Sequence, residues 1–333
     1  EPVQKHPKGY GEAKLIPLFT DVTERINHKH VDRPFEDFRK QLLAPIKYSQ
    51  PGPGVGWIDI NSDGWDDLVI SNGASGRLAI FQNTKNGGFT PFKSKNLLKT
   101  NWDQTVALPF FDSSAGTSLI VGVSNYESGG TRLPSAALYD FESQRTTAIR
   151  ANTDGSTGPM CQADLDGDGS LEVFVGGRII PGHYPAPASS VLISKSENGW
   201  KTIHNWNKLG MVQGAVFSNL YGDHRPELIV ALHWGPIRVF TFEKNSLSPT
   251  EITSRLGLSR YTGWWNGVAT GDFNKDGKMD IVASNWGLNW RTKPSPENPY
   301  RVYYGDLYEN GETVVIESVL VDGKWKPLRR LGI

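Results

Sequence analysis

The chain has 333 residues, and its 35 basic and 35 acidic side chains give a formal net charge of zero at neutral pH. This balance argues against nucleic acid or an anionic membrane as the partner, and no apolar run reaches the ~20 residues of a membrane-spanning helix. Cys161 is the only cysteine, which excludes an internal disulfide.

The first 50 residues differ from the rest because the repeats described below begin after them. We expect residues 1–50 to form an N-terminal segment and residues 51–333 to form the repeat domain. Within the N-terminal segment, Leu15 to Thr23 is the candidate for an outer strand that pairs with the last repeat and closes the array. The 36 Gly and 21 Pro of the chain, spread along its length, predict many short strands and tight turns.

Three segments of the repeat domain share one nine-residue template. Residues 59–67 read DINSDGWDD, residues 164–172 read DLDGDGSLE, and residues 272–280 read DFNKDGKMD. A short apolar run with strand composition follows each of them at once. Two degenerate copies lie between them: DSSAGTS at 112–118 and NLYGDHRPE at 219–227. The five first positions are 53, 52, 55 and 53 residues apart, and such a constant period indicates a repeat array.

Each period also contains four strand-like segments separated by turn residues. Four short strands per unit predict antiparallel sheets arranged around an axis, which is an all-β fold of the β-propeller type with four-stranded antiparallel blades. A β-solenoid is the alternative, but solenoid repeats are usually about half this length or less.

The blade number stays open at this stage. Five periods are plain, and a sixth loop-like piece, DLYENGE at 306–312, follows Asp272 by only 34 residues. The strand-like residues 301–304 are therefore either the third strand of the fifth blade or the start of a sixth. We expect six or seven blades, or an incomplete ring in this chain.

The composition of the three full loops indicates calcium. Calcium binds six to eight oxygen atoms at about 2.3–2.6 Å in a flexible shell. Oxygen side chains at positions one, three, five and nine, a carbonyl at position seven and a Gly for the turn at position six supply such a shell. An EF-hand loop would need Glu at position twelve, where these segments have Ile70, Val175 and Ala283.

We therefore predict about three Ca²⁺ ions. The predicted ligands are Asp59, Asn61, Asp63, Trp65 and Asp67, then Asp164, Asp166, Asp168, Ser170 and Glu172, and then Asp272, Asn274, Asp276, Lys278 and Asp280, with Trp65, Ser170 and Lys278 acting through their carbonyls. Asp, Asn and Gly also populate ordinary turns, but three copies in register favour a metal role. The two degenerate copies are predicted not to bind.

Sites of this kind suit an environment rich in free calcium, where dissociation constants of about 10⁻⁴–10⁻³ M suffice. We therefore expect an extracellular, cell-surface or periplasmic location.

At this point the loops resemble FG-GAP/VCBS repeats, which occur in integrin α-subunit propellers and in many secreted bacterial proteins. The phrases GGRIIPGHYP at 176–185, GWWN at 263–266 and NWGLN at 285–289 are similar to the propeller part of the bacterial cartilage-acidic-protein/UnbV-like group. The resemblance implies calcium loops that join the first two strands of a blade at one face. Most repeats lack the Phe-Gly and Gly-Ala-Pro flanks of integrins, so integrin-like ligand binding does not carry over.

Two further groups of residues bear on function. An aromatic group comprises His233, Trp234, Trp264, Trp265, Trp286 and Trp290. Such rings either pack between blades or bind sugars and proteins, and Trp290 beside Arg291 is the best candidate for an exposed contact. The other group, Arg178, His183 and Tyr184, either ties down a Pro-rich loop or serves a polysaccharide lyase.

The leading hypothesis is a non-catalytic binding or scaffold propeller for a protein or glycan partner, anionic partners included, without nucleic acid and without a membrane span. The alternative is a carbohydrate-active enzyme of the polysaccharide lyase type, with Arg178, His183 and Tyr184 as catalytic residues. Whether the chain is an enzyme is left open, since propellers host both classes.

Overall fold

A computed structural model describes residues 18–94, 97, 101–112, 116–128, 133–151, 153–243, 247–290 and 292–328. Nearly all regular structure in this part of the chain is β-strand, with one short helix, α1 (Asp37–Lys40), and isolated 3-10 turns. None of the helices in these ranges is long and apolar enough to cross a membrane.

The strands follow the predicted periods. The first sheet has the order β1 (Val55–Ile58), β2 (Asp67–Ile70), β3 (Ala79–Asn83), β4 (Phe89–Pro91). The second has the order β5 (Gln104–Asp112), β6 (Gly116–Val123), β7 (Ala136–Asp140), β8 (Arg145–Ile149). Both sheets are antiparallel throughout, with four strands each, as the repeat predicts.

The third and fourth sheets share one long strand. The third contains β9 (Ser156–Ala163), β10 (Glu172–Ile179), β11 (Ala188–Ser196) and the first part of β12 (Gly199–Ser218). The second part of β12 pairs with β13 (Glu227–Gly235), which is followed by β14 (Arg238–Phe242) and β15 (Pro249–Glu251). One continuous strand thus replaces the connection between two blades.

The chain ends in two smaller groups of strands. β16 (Gly263–Gly271) pairs with β17 (Asp280–Asn285), and β18 (Tyr300–Gly305) pairs with β19 (Val314–Val321), which pairs with β20 (Lys324–Pro327). Residues 301–304 therefore lie in β18 of a separate sheet and do not pair with β17 as a third strand of that unit. Pro294, Pro296 and Pro299 lie between the two groups, and proline cannot donate a ladder hydrogen bond.

Neighbouring sheets pack face to face, and this explains their apolar runs. Because successive strand residues point to opposite faces, adjacent residues enter different cores. Leu119 packs with the first sheet and Ile120 with the third, while Val173 packs with the second sheet and Phe174 with the fourth. A strand that is buried on both faces reads as a continuous apolar run, as β2, β10 and β13 do.

The first strands of the periods form a series, in which β1 contacts β5, β5 contacts β9, β9 contacts β12, and β12 contacts β16. The fold is therefore all-β and propeller-like. Val55 and Trp57 of β1, at one end of this series, are exposed, as is Val282 of β17 near the other end.

The N-terminal segment packs against the sheets through α1 and the residues after it. The buried Asp37 carboxylate accepts hydrogen bonds from the backbone N–H groups of Tyr48 (2.7 Å) and Ser49 (2.9 Å), and Tyr48 is itself 1% exposed. Residues 18–23, the described part of the candidate closing strand, contain no strand, and residues 15–17 lie outside the described ranges.

Candidate functional site

The nine-residue loops share one hydrogen-bonded frame. We number them by period: loop one is 59–67, loop three 164–172, loop four 219–227 and loop five 272–280. In loop one the two carboxylate oxygens of Asp59 accept the N–H groups of Asp63 (3.0 Å) and Gly64 (2.7 Å). Loop five repeats both bonds from Asp272, at 3.0 and 2.9 Å. The first residue therefore curls the backbone around its own carboxylate.

Position six needs a backbone conformation that favours glycine. Gly64, Gly169 and Gly277 have φ angles of +84°, +85° and +83°, in the left-handed region. In loop four, His224 holds the same position at φ +63°. The degenerate loop therefore keeps the turn although it has lost the glycine.

The acid at position nine is buried and stabilises the frame by a hydrogen bond to the start of the loop. Asp67 and Glu172 are 1% and 3% exposed, and each accepts the backbone N–H of position two, at 3.2 Å in loop one and 3.0 Å in loop three. Burial raises the pKa of both carboxyls. Sequence reasoning assigned position nine to metal binding alone and missed this structural role, which Glu227 also fills in loop four.

Three of the four carboxylates of loop three converge, and the predicted ligand Asp168 is not among them. Asp164, Asp166 and Glu172 each offer a carboxylate oxygen within 4.8 Å of the others, so this acidic group could hold a metal ion. Loops one and five have an amide at position three, Asn61 and Asn274, which supplies a neutral oxygen in the same place in the sequence. Carboxylate, amide and carbonyl oxygens are the donors that hard cations such as Ca²⁺ accept.

Cationic side chains distinguish the loops. Arg225 of loop four makes an ion pair with Asp223 at 2.8 Å, and Lys85 approaches Asp63 of loop one at 3.2 Å. Among the described residues, no ion pair reaches the carboxylates of loop three. The same holds for loop five, so loops three and five differ from loops one and four in having no ion pair among the described residues.

The degenerate second copy has no room for the nine-residue frame. Asp112 and Gly116 are paired at the end of the β5–β6 ladder, and only three residues, which lie outside the described ranges, connect them.

A loop that the sequence left ambiguous has the same frame. In residues 306–314, which we name loop six, the Asp306 carboxylate accepts the N–H groups of Asn310 (3.0 Å) and Gly311 (2.8 Å). Positions three and nine are Tyr308 and Val314, so loop six lacks two of the oxygen side chains.

The alternative catalytic residues have separate partners. His183 is exposed and its Nδ1 lies 3.0 Å from Thr313 Oγ1, whereas Tyr184 is 2% exposed and accepts a hydrogen bond from Trp234 Nε1 at 3.0 Å. Burial raises the pKa of Tyr184 well above its ordinary value. The Nε of Arg178 donates to Gln213 Oε1 at 3.2 Å. The Tyr184 phenol is thus buried and hydrogen-bonded to Trp234, while the His183 imidazole is exposed.

Four members of the aromatic group form a stacked ladder, whereas Trp265 packs in a separate cluster and Trp234 meets Trp264 edge-on. His233 stacks on Trp264 (3.8 Å between centroids), Trp264 on Trp286 (4.9 Å), and Trp286 on Trp290 (4.8 Å). Trp264 is buried and Trp290 is half-buried. Arg291, predicted to accompany Trp290, lies outside the described residues.

The comparisons with known proteins agree with the repeat. Residues 219–283, which hold loops four and five, β13–β16 and the first part of β17, match the family model of the FG-GAP-like repeat. Crystal structures of BBS1N in complex with ARL6DN, soaked with lead or with mercury, match at 12% and 13% identity over 70% of this chain and 76% of theirs. Their TM-score of 0.34 is too low to support a functional argument. No curated protein matches the sequence. The chain thus contains an FG-GAP-like repeat within an all-β, propeller-like fold.

Proposed function

We propose that this chain is a calcium-dependent binding or scaffold module that works outside the cytoplasm and catalyses no reaction. The observation that carries the proposal is the frame of loop three, where three carboxylates converge and no cationic side chain in the described ranges neutralises them. Loops one and five share that frame and most of its oxygen donors.

The residues at positions one, three, five and nine would hold the ion, with the carbonyl of position seven. The ion would supply charge neutralisation and a cross-link within each loop, since carboxylates that are close together disfavour each other's ionised form. Calcium fits this set better than magnesium, because magnesium demands a near-ideal octahedral shell and keeps several waters.

The proposed location follows from the expected affinity. Loops of this type bind at about 10⁻⁴–10⁻³ M in extracellular modules, a range that cytosolic free calcium does not reach. We extend the proposal to the bacterial cartilage-acidic-protein/UnbV-like branch on the basis of the phrases at 176–185, 263–266 and 285–289.

The stability test compares one metal-free sample in chelator, in Ca²⁺ and in Mg²⁺. Three ions bound only by the folded state would each add about 2.7 kcal/mol at a hundredfold excess over Kd. We expect Ca²⁺ to raise the melting temperature by at least about 5 °C and Mg²⁺ to raise it much less. Equal melting temperatures in all three conditions would contradict the proposal.

The partner is proposed to be a protein or glycan, with anionic surfaces favoured. Three bound Ca²⁺ ions would leave the formally neutral chain with a charge of +6, and positive charge steers anionic partners at low salt. Retention on a heparin column should therefore increase with calcium at low ionic strength. Equal retention with the ions confirmed bound would remove the anionic partner from the proposal.

The same preparation tests for catalysis. We expect no unsaturated-uronate chromophore after incubation with acidic polysaccharides. A product that the wild type forms and that His183→Ala does not would replace the binding role with the lyase.

A further inference from the structure

A second group of carboxylates lies far from the loops. Asp103 directly precedes β5, Glu127 follows β6 in the 3-10 turn Tyr126–Ser128, and Asp32 belongs to the N-terminal segment. Each offers an oxygen within 4.8 Å of the other two. This group, which we name the junction cluster, is at the opposite end of the sheets from loop one, because its neighbours Asn72 and Gly73 follow the end of β2.

Backbone contacts fix the cluster in place. The N–H of Val31 donates to Asn72 Oδ1 (2.8 Å), and the N–H of Gly73 donates to the carbonyl of Val31 (3.1 Å). A Cβ on Gly73 would lie 2.6 Å from Asp32 Oδ1, closer than side chains tolerate. The glycine therefore makes the room that Asp32 occupies beside the first sheet.

The buried carboxylates are only half satisfied. Asp103 is 1% exposed, and its Oδ1 accepts the N–H of Ala74 at 2.8 Å. The Glu127 side chain is 3% exposed, and its Oε2 pairs with Arg33 at 2.8 Å. The second oxygens, Asp103 Oδ2 and Glu127 Oε1, are buried and have no hydrogen-bond partner in the described part of the chain. A buried carboxylate oxygen without a partner is costly, so each such atom requires an explanation.

The charges in the cluster do not balance. Among the residues that the structure describes, the three carboxylates have one guanidinium partner, that of Arg33, whose side chain is half exposed. A proton or a cation would compensate the remaining negative charge.

We propose that Asp32, Asp103 and Glu127 bind a divalent cation that ties the N-terminal segment to the first two sheets. The donors are anionic oxygens, which favour Ca²⁺, Mg²⁺ or Mn²⁺ over the softer metals that prefer nitrogen and sulfur. The free Asp103 Oδ2 and Glu127 Oε1 are the natural ligands, with Asp32 supplying the third carboxylate and water completing the shell. This site is independent of the three loops.

The test counts ions in matched variants. Asp103→Asn and Glu127→Gln, dialysed against Ca²⁺, Mg²⁺ or Mn²⁺, are compared with Glu197→Gln, which removes an exposed carboxylate from the β11–β12 turn. We expect each junction variant to bind one ion fewer than Glu197→Gln in at least one of the three metals. Equal counts in all three metals would overturn the site and leave a proton as the compensating charge.

A measurement on the wild type covers the case in which the variants fail to fold. Crystals soaked in Mn²⁺ should show an anomalous peak between the three carboxylates, and an empty cluster beside occupied loops would overturn the proposal. A variant with Asp59→Asn, Asp164→Asn and Asp272→Asn separates the two sites. It should keep the junction ion even if it loses every loop ion, so failure of the calcium loops and failure of the junction site give different results.

Discussion

Loops three and four lie in consecutive repeats and share the same backbone hydrogen bonds, but they differ in how their carboxylates are neutralised. In both, the first residue accepts the N–H of position four at 2.7 Å, and the buried acid at position nine accepts the N–H of position two. Loop three carries four carboxylates without a cationic partner in the described ranges. Loop four carries two, and Arg225 pairs with one of them.

The comparison teaches that the frame and the metal site are separable. Loop four keeps the backbone turns, the side-chain oxygen at position one, and the acid at position nine that accepts the N–H of position two. It has Tyr221 in place of the oxygen donor at position three and His224 in place of the glycine at position six. The guanidinium of Arg225 neutralises a carboxylate of loop four, as a bound cation would do in loop three. If the loops bind calcium as proposed, the same reasoning predicts that loop three binds it more tightly than loop one, where Lys85 lies 3.2 Å from Asp63.

The largest effect is expected from position five. Asp168→Asn should remove one ion and cost up to about 2.7 kcal/mol of unfolding free energy at a hundredfold excess of calcium over Kd. Asp223→Asn removes the matching carboxylate from loop four and loses only an exposed ion pair, worth about 1 kcal/mol or less. Calcium counting and denaturant unfolding on both variants check this. Equal losses of stability with unchanged ion counts would contradict the claim that loop three binds calcium and loop four does not.

The converse experiment builds a site into loop four. Asn219→Asp, Tyr221→Asp, His224→Gly and Arg225→Ser together give the sequence of loop three except for Pro226. We expect the variant to bind one more calcium ion than the wild type, and to be less stable than the wild type without calcium because the Arg225 ion pair is gone. Titration calorimetry gives the count. An unchanged count would show that the frame and oxygen donors are insufficient.

A change at the far end of β10 should leave calcium binding alone. Tyr184→Phe removes the hydrogen bond from Trp234 and should cost about 1 kcal/mol of stability, with the ion count unchanged. His183→Ala, an exposed neighbour, is the control and should cost less. A loss of calcium in Tyr184→Phe would show that the loops are coupled to the opposite end of the sheet.

The smallest effect concerns pH in loop four. Burial raises the folded-state pKa of Glu227 above its ordinary value, so the folded state holds this proton more tightly than the unfolded state does. That contribution to stability is complete below the unfolded pKa and is lost as pH rises through the folded pKa. Glu227→Gln should therefore gain stability relative to the wild type as the pH rises from about 4, near the unfolded pKa, through the folded-state pKa. A constant difference across this range would contradict the assignment.

The sequence predicted the local features well and the distant ones poorly. The four strands of each of the first four periods and the turn at position six of loops one, three and five follow from spacing, because strand periodicity and the glycine are local signals. The fifth period departs from the prediction, since its described strands β16 and β17 form a pair without β18. The sequence did not predict that Asp67 and Glu172 accept a hydrogen bond from position two, because the donor is a backbone N–H that no residue type marks. The junction cluster joins residues far apart in the chain, and no spacing marks Asp32, Asp103 and Glu127.

The separate sheet β18–β20 shows a further limit. The sequence around 301–304 fitted either a third strand or a new unit, because strand composition is the same in both cases. Tertiary packing decided, since Val302 and Val315 pack with Trp264 and Tyr184, and Tyr300 stacks on Trp234 at 5.6 Å.

The most direct test of the account is the number of calcium ions bound by the wild type and by the variant with Asp59→Asn, Asp164→Asn and Asp272→Asn. Asparagine keeps one acceptor oxygen for the frame but removes the charge from position one of each loop. Titration calorimetry on metal-free samples, with circular dichroism to confirm the fold, gives both counts. The account predicts a difference of three ions, and identical counts would contradict it.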